Sequence, residues 1–260
     1  MPKLSDPMRS PISPMHPIIR IRPIFFRALA PNAFVFVILS LIGLFGCTPD
    51  LQAVSVPFEE FNGPTMGSYY AVKVAGGAQQ DTIDLAQQRV QETLDRIDNM
   101  MSTYKPNSEL SRFNRHQSIG PFKVSRETIE IFQAAREVSE LTDGAFDITV
   151  GPIVNAWGFG PEKKTAPPTD AEIAELLPRV GYKMVSVDAT ASTIQKERPD
   201  IYCDLSGIAQ GYAADEIAKL LDELGVENYM IDISGEFGTR GFNERSEPWQ
   251  IGIERPDAAA

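Results

Sequence analysis

The chain has 260 residues, of which 43% are hydrophobic and 23% charged, with 20 Pro and 19 Gly. This composition predicts a globular protein of one domain or two small ones, and it excludes collagen, a coiled coil and wholesale disorder. The formal net charge of −11 disfavours a nucleic-acid binder, because the phosphate backbone would be repelled.

The first 46 residues differ from the rest in charge. They hold five of the 24 basic residues and one of the 35 acidic residues, so the remainder carries a net charge of −15. Arg20, Arg22 and Arg27 precede an apolar run over residues 28–44, which is typical of a secretory signal. The uninterrupted part, residues 33–39, is too short for a transmembrane span of about 20 residues.

Cys47 follows this run in the sequence Leu44-Phe-Gly-Cys47. The segment resembles the bacterial lipobox, in which the cysteine becomes the first mature residue and carries lipid. We therefore predict a lipoprotein signal peptide over 1–46, a linker over 47–57 after lipidated Cys47, and a bacterial membrane lipoprotein facing the periplasm or cell exterior. The alternative is a signal anchor with a chance cysteine. The other cysteine, Cys203, is predicted to be buried and structural.

Residues after 57 show no internal repeat and predict one continuous α+β domain, with mixed or antiparallel sheets flanked by helices. Apolar residues at helical spacing predict helices over Asp81–Met101 and Ser125–Leu141, and Thr169 with Glu172 forms a capping-box pattern. Residues 102–120 and 142–168 are predicted to be loops. A further helix is predicted over 208–224, and strands are predicted over 58–61, 69–75, 184–187, 193–196, 201–205, 229–233 and 249–254.

The richest chemical segment is Asp204-Leu-Ser-Gly207-Ile-Ala-Gln210-Gly211, where a predicted strand leads into a helix. Free N–H groups at a helix N-terminus suit a phosphate, and Asp204 could hold a cation or accept a hydrogen bond from a ligand. An ordinary strand-to-helix turn capped by Asp204 remains the alternative. The segment 142–160 is equally open to two interpretations, either a wall for a flat ligand or a loop packing Trp157 onto the core.

Several other site types do not fit the sequence. The spacing of Gly235, Gly238 and Gly241 is not followed by a helical pattern, so it predicts a glycine-rich hairpin or loop rather than a dinucleotide fold. His116 is the one histidine outside the signal segment, and no G-x-S-x-G, H-E-x-x-H or P-loop pattern occurs. The candidate functional groups that remain are carboxylates, hydroxyls and backbone oxygens, and these suit the binding of Mg²⁺ together with a phosphorylated ligand.

Taken together, five ordered segments resemble the motifs of ApbE-type FAD:protein FMN transferases. They are Pro64–Ser68, Ser102–Asn114, Asp143–Asp147 with Gly151-Pro152, Asp204–Asp215 and Ile233–Glu236. The resemblance implies binding of FAD with Mg²⁺, and transfer of FMN through a phosphoester to a Ser or Thr hydroxyl of a target flavoprotein. Members are often periplasmic lipoproteins, which agrees with the lipobox.

The resemblance also implies roles for particular residues. The cofactor-binding residues would be Met66 and Tyr104 near the flavin, with Ala145, Phe146, Asp147, Asp204 and Gln210 lining the FAD site. Gly207 would offer its carbonyl to the metal, and the catalytic residues stay unassigned. Tyr104 stands where Trp is frequent, and Gln210 where Lys or Glu is common.

The domain over 58–260 is expected to be C-terminally incomplete against this family, whose His-and-Asp-Pro and Asp/Thr metal segments would follow the segment 249–254. Three functions therefore remain open. They are the FMN transferase, a non-catalytic FAD-binding lipoprotein, and an FAD pyrophosphatase that releases FMN and AMP. The partners expected are FAD, an acceptor flavoprotein and the membrane through lipid on Cys47, with no nucleic acid.

Overall fold

The computed structural model of the protein describes residues 55–253. The predicted signal peptide, Cys47 and residues 254–260 lie outside this range. The helices are α1 (Gln80–Met101), α2 (Glu109–Arg115), α3 (Arg126–Leu141), α4 (Gly151–Ala156), α5 (Asp170–Leu176) and α6 (Ser206–Glu223). The strands are β1 (Phe58–Thr65), β2 (Ser68–Ala75), β3 (Phe122–Lys123), β4 (Val185–Asp188), β5 (Thr193–Lys196), β6 (Tyr229–Ile233) and β7 (Glu236–Arg240).

The strands form two antiparallel sheets, one in the order β1-β2-β6-β7 and a smaller one in the order β3-β5-β4. In the larger sheet, Val72 and Val74 of β2 and Ile231 and Ile233 of β6 are at most 2% exposed. These residues alternate with more exposed ones, as expected for a sheet with one buried face. The predicted α+β class with helices flanking the sheets is confirmed.

The core lies between this sheet and helices α1 and α6. The inward face of α1 carries Ile83, Val90, Leu94 and Ile97, all at most 5% exposed, at the spacing of one helical face. α6 contacts α1 and also β6 and β7. Its residues Ala213, Ile217 and Leu221 have no exposed surface, and their burial fixes the helix against the sheet.

The helices predicted over Asp81–Met101 and Ser125–Leu141 are confirmed within one residue at each end, because their apolar periodicity extends over several turns. The helix predicted over 208–224 is also confirmed, and it begins two residues earlier, at Ser206. The predicted capping box is also confirmed: Glu172 N donates to Thr169 Oγ1 at 3.3 Å, and Thr169 N donates to Glu172 Oε2 at 2.7 Å. The glycine-rich segment after β6 forms the hairpin between β6 and β7. No helix in the range 55–253 is long and apolar enough to cross a membrane.

The prediction of a loop over 102–120 is wrong in part, because α2 lies within it. Ser108 begins this helix, its Oγ accepting a hydrogen bond from Ser111 N at 2.9 Å. Leu110 and Phe113 are each 1% exposed. A single apolar pair in a polar stretch gives too little periodicity to predict a seven-residue helix. Similarly, α4 lies inside the predicted loop over 142–168.

The predicted strand over 201–205 is also wrong, since no strand within residues 55–253 pairs with this segment. Instead, the side chain of Asn114 forms hydrogen bonds with the main chain of this segment. Asn114 Nδ2 donates to Cys203 O, and Cys203 N donates to Asn114 Oδ1, each at 2.8 Å. Asp204 N donates to Ile148 O at 2.7 Å. Buried main-chain groups need partners, but sequence periodicity does not show whether a strand supplies them.

The predicted strand over 249–254 is absent from its described part, residues 249–253. The indole Nε1 of Trp249 donates to Arg240 O at 2.9 Å, at the end of β7. Main-chain pairing there is limited to a bridge between Phe242 and Pro248. A side-chain hydrogen bond thus anchors the segment where a β-ladder was predicted.

The N-cap of α3 provides a test of the local structure. Ser125 Oγ accepts from Thr128 N at 3.1 Å and donates to Glu109 Oε2 at 2.9 Å, which ties α3 to α2. We expect Ser125→Ala to lower the free energy of unfolding by about 1–2 kcal/mol in urea titrations. Ser186→Ala, at an exposed serine of β4, is the matched control. A loss no larger than that of the control would contradict this role.

Candidate functional site

Two hairpin turns lie at the same end of the larger sheet. Met66 and Gly67 join β1 to β2, and Ser234 and Gly235 join β6 to β7. All four have positive φ, between 47° and 100°, as a two-residue type I′ hairpin requires. The pairing of β2 with β6 brings the turns together, and Ser234 Oγ donates to the main-chain oxygen of Tyr69 at 3.1 Å.

A cavity of about 90 Å³ lies where the first of these turns meets the helices. Met66 lines one side, the end of α1 with the residues up to Tyr104 lines another, and the first turns of α6 line a third. The structure therefore brings Met66, Tyr104 and Gln210 together from segments far apart in the sequence. Met101, the last residue of α1, is 4% exposed and also lines this cavity.

A second cavity of about 380 Å³ adjoins the first, because Ser206 and Gln210 line both. Gly207, Asp215 and Glu236 line it as well, the last from the start of β7. The first turns of α6 thus lie between the two cavities. The sequence predicted no individual role for three of these residues, Ser206, Asp215 and Glu236, although all three lie in the motif segments.

Asp204 lies two residues before α6 and is 7% exposed. Its Oδ1 accepts a hydrogen bond from Ser206 N at 2.8 Å, so the carboxylate binds the first main-chain N–H of the helix. The alternative interpretation of Asp204 is correct in this contact only, because the N-cap residue is Leu205 and the segment before the helix is not a strand. The carboxylate lies at the helix end whose dipole favours negative charge.

The turn containing Ala145, Phe146 and Asp147 reaches α6 through the phenyl ring. A Cβ at Gly207 would lie 3.2 Å from Phe146 Cε2, so the ring packs on the first turn of the helix. Ala145 N and Phe146 N both donate to Thr142, through its carbonyl oxygen at 3.0 Å and its Oγ1 at 3.1 Å. These two hydrogen bonds hold the turn that places Phe146 against the first turn of α6.

The carboxylate of Asp147 is fully occupied by protein donors. Its Oδ1 accepts from Thr149 N and Thr149 Oγ1, and its Oδ2 accepts from Tyr182 N, each at 2.7 Å. Thr149 Oγ1 in turn accepts from Gly181 N at 2.7 Å. Asp147 lines neither of the two cavities on α6. Its side chain builds the turn that carries Phe146.

The segment after α4 reaches Tyr104 through Phe159. The Tyr104 hydroxyl donates to Phe159 O at 2.7 Å, and Trp157 and Phe159 are 47% and 74% exposed. Trp157 is therefore not packed into the core, which corrects one of the two interpretations of the segment 142–160. Neither aromatic residue lines the smaller cavity, so the interpretation as a ligand wall stays a prediction.

Cys203 is buried, as predicted, with no exposed surface. Burial raises the pKa of its thiol to about 12, and the nearby Lys196 only partly opposes this. The thiol is therefore neutral at physiological pH and unreactive as a nucleophile.

Within residues 55–253, no three His, Cys, Asp or Glu side chains converge on a point that could hold a metal ion. Besides Asp204, the oxygen groups around the start of α6 include the Gly207 main chain and the carboxylates of Asp215 and Glu236, which line the larger of the two cavities. Mg²⁺ is commonly held by one or two carboxylates together with water and substrate phosphates.

Residues 66–260 match the ApbE family. The chain belongs to this family. It is 40% identical over 221 residues to the FAD:protein FMN transferase of Vibrio cholerae, a match covering 84% of this chain and 63% of that one. The protein of the same name from Salmonella typhimurium is 38% identical over 218 residues, with 82% and 62% covered.

Solved structures give the same assignment. The flavin transferase ApbE from Vibrio cholerae superposes with a TM-score of 0.72 at 40% identity, covering 77% of this chain and 65% of that one. The Pseudomonas stutzeri flavinyl transferase ApbE, in its apo form, has a TM-score of 0.70 at 32% identity, covering 76% and 66%. The chain spans about 63% of the length of the curated relatives it matches.

Two glycines of α6 test the packing of Phe146. A Cβ at Gly207 would meet the phenyl ring at 3.2 Å, whereas a Cβ at Gly211 would have no heavy atom within 4 Å. Alanine in place of helical glycine stabilises by about 0.5–1 kcal/mol, so we expect Gly211→Ala to raise the free energy of unfolding by that amount. Gly207→Ala should raise it less, because the ring must move. Equal gains in urea titrations would show that the ring does not pack on Gly207.

Proposed function

We propose that the chain carries the flavin nucleotide site of an FAD:protein FMN transferase. In this proposal FMN passes from FAD to a Ser or Thr hydroxyl of a target flavoprotein, through a phosphoester. One observation carries it: in a chain of the ApbE family, Met66, Tyr104 and Gln210 line one cavity at the start of α6. The names of the relatives support the reaction.

The apolar part of the site suits the flavin ring. Met66 lies at the tip of a hairpin with φ of 47°, a conformation that costs a non-glycine residue roughly 1 kcal/mol or more. The Met66 side chain lines the cavity together with Met101 and Tyr104, and it supplies polarisable apolar surface for a flat ring. Tyr104 is held in place by its hydrogen bond to Phe159 O.

The start of α6 suits the phosphates of FAD. Of its first four main-chain N–H groups, Ser206 N is bonded to Asp204 Oδ1, and Ile208 N and Ala209 N are bonded to Leu205 O. Gly207 N and the positive end of the helix dipole are left to favour an anion. Asp204 bonds Ser206 N through Oδ1, and this contact holds the first turn in the geometry that the nucleotide would meet. Phe146, packed on Gly207, closes the turn from one side and excludes water there.

Mg²⁺ belongs to the proposal. Gly207 would offer its carbonyl oxygen, and Asp215 or Glu236 on the same cavity fits the one or two carboxylates that Mg²⁺ uses beside phosphate oxygens. When bound, the ion neutralises charge on the phosphates during transfer.

The proposed reaction is a displacement at the phosphorus of the FMN half. The acceptor hydroxyl oxygen forms the new P–O bond, the pyrophosphate P–O bond breaks, and AMP leaves while the hydroxyl proton is released. Positioning and charge neutralisation are the main demands of such a transfer. With water in place of the hydroxyl, the same displacement gives FMN and AMP.

The test uses the chain with FAD, Mg²⁺ and a candidate acceptor flavoprotein. We expect flavin fluorescence on the acceptor band of a denaturing gel, at least about tenfold weaker for Asp204→Ala, because the first turn of α6 loses this carboxylate contact. Asp81→Ala is the control, since Asp81 is exposed at the start of α1, about 30 Å along the helix from Met101.

The other outcomes separate the three functions. AMP release without labelled acceptor would favour the pyrophosphatase. Saturable FAD binding without either product would favour the non-catalytic binder. Absence of FAD binding by the wild-type chain would overturn the proposed site.

We also propose that the protein is a lipoprotein of the bacterial cell membrane, facing the periplasm or cell exterior, with lipid on Cys47. Support comes from the basic segment, the apolar run and the position of the cysteine. We expect Cys47→Ala to move the protein from the membrane to the soluble fraction in cell fractionation. Cys203→Ala is the matched control, because that thiol is buried. Retention of Cys47→Ala on membranes would instead indicate a signal anchor.

A further inference from the structure

Lys196, the last residue of β5, is a buried ammonium group. It has no exposed surface, and no carboxylate of residues 55–253 forms an ion pair with it. Four main-chain carbonyls surround its Nζ: Pro199 O at 2.9 Å, Asn114 O at 3.1 Å, Phe113 O at 3.3 Å and Ile201 O at 3.4 Å. Burial lowers the pKa of Lys196, since an ammonium loses its hydration there.

These carbonyls come from two separate parts of the chain. Phe113 and Asn114 lie at the end of α2, where the dipole favours a cation; Phe113 O also accepts from His116 N at 3.0 Å. Pro199 and Ile201 lie where the chain enters the segment Ile201–Leu205. Lys196 therefore ties the end of α2 to the start of that segment.

Asn114 makes a second tie a few residues further along. Its side-chain amide pairs with both the N–H and the carbonyl of Cys203, each at 2.8 Å, as a neighbouring strand would. Asn114 is 7% exposed, so water cannot readily replace these bonds. The next residue is Asp204, whose N–H bonds Ile148 O and whose carboxylate binds the first N–H of α6.

We infer that Asn114 and Lys196 are positioning residues for the proposed flavin nucleotide site. Together they hold the segment Ile201–Leu205, which pairs with no strand of residues 55–253, and thereby fix the Asp204 carboxylate and the first turn of α6. The inference rests on the proposed function for its ligand, but the support of the segment is a property of the chain alone. Neither residue lines the two cavities at α6.

The test compares Asn114→Leu and Lys196→Met with Leu220→Ala. Asn114→Leu and Lys196→Met each keep a side chain of similar size but remove its hydrogen bonds. The third truncates a residue that is 5% exposed in the distal half of α6, and it serves as a control of similar destabilisation. Thermal unfolding sets a common temperature at which all variants are folded.

Two measurements follow at that temperature. Hydrogen exchange by mass spectrometry is recorded without ligand on peptides covering residues 200–208. FAD affinity is measured by titration of flavin fluorescence. We expect Asn114→Leu and Lys196→Met to speed exchange there and to weaken FAD binding, each at least about tenfold, whereas Leu220→Ala changes neither by as much. Asn114→Asp, which keeps the acceptor and loses the donor, should fall between wild type and Asn114→Leu.

Each contrary result has its own meaning. Exchange over residues 200–208 no faster than in Leu220→Ala would overturn the inference, and so would faster exchange with unchanged FAD affinity. If Asn114→Leu does not fold, Asn114→Asp decides by the same two measurements. If the wild-type protein binds no FAD, the proposed function is overturned, while the exchange data still decide whether these residues hold the segment.

Discussion

The packing of α6 against both α1 and the larger sheet is the constraint on which the candidate site depends. Ala213, Ile217 and Leu221 are fully buried or nearly so and hold the helix against β6 and β7. The start of α6 consequently lies at the sheet end where both hairpin turns meet. The two cavities form there because helix, sheet end and the residues after α1 converge.

The polar residues around this point divide into two groups by what their side chains contact. Gln210 and Glu236 line cavities, and their polar atoms can reach a ligand. Asp147, Asn114 and Lys196 are instead hydrogen-bonded to main-chain and side-chain partners of the protein itself. Buried polar groups left unpaired cost about 1–3 kcal/mol, so these partners must be present before any ligand arrives. The residues of the second group therefore contribute by holding the main chain in position.

This division refines the interpretation drawn from the family motifs. The sequence resemblance placed Asp147 among residues lining the FAD site, yet its carboxylate holds Thr149 and Tyr182. A motif residue can thus be required for the shape of a turn. Asn114 closes another motif segment, and its side chain stands in for a strand beside Cys203. The resemblance identified the segments, and the contacts distinguish their roles.

The sequence by itself determined the long helices, the hairpin after β6 and the capping box of α5. It also determined the burial of Cys203 and the family resemblance. Each of these features depends on local periodicity or on ordered motifs. The sequence did not show α2, the missing strand partner of 201–205, or the exposure of Trp157. Those features depend on which distant groups satisfy a buried main chain. Only the tertiary structure decided that Met66, Tyr104 and Gln210 share a cavity, since contacts across more than a hundred residues leave no periodic signal.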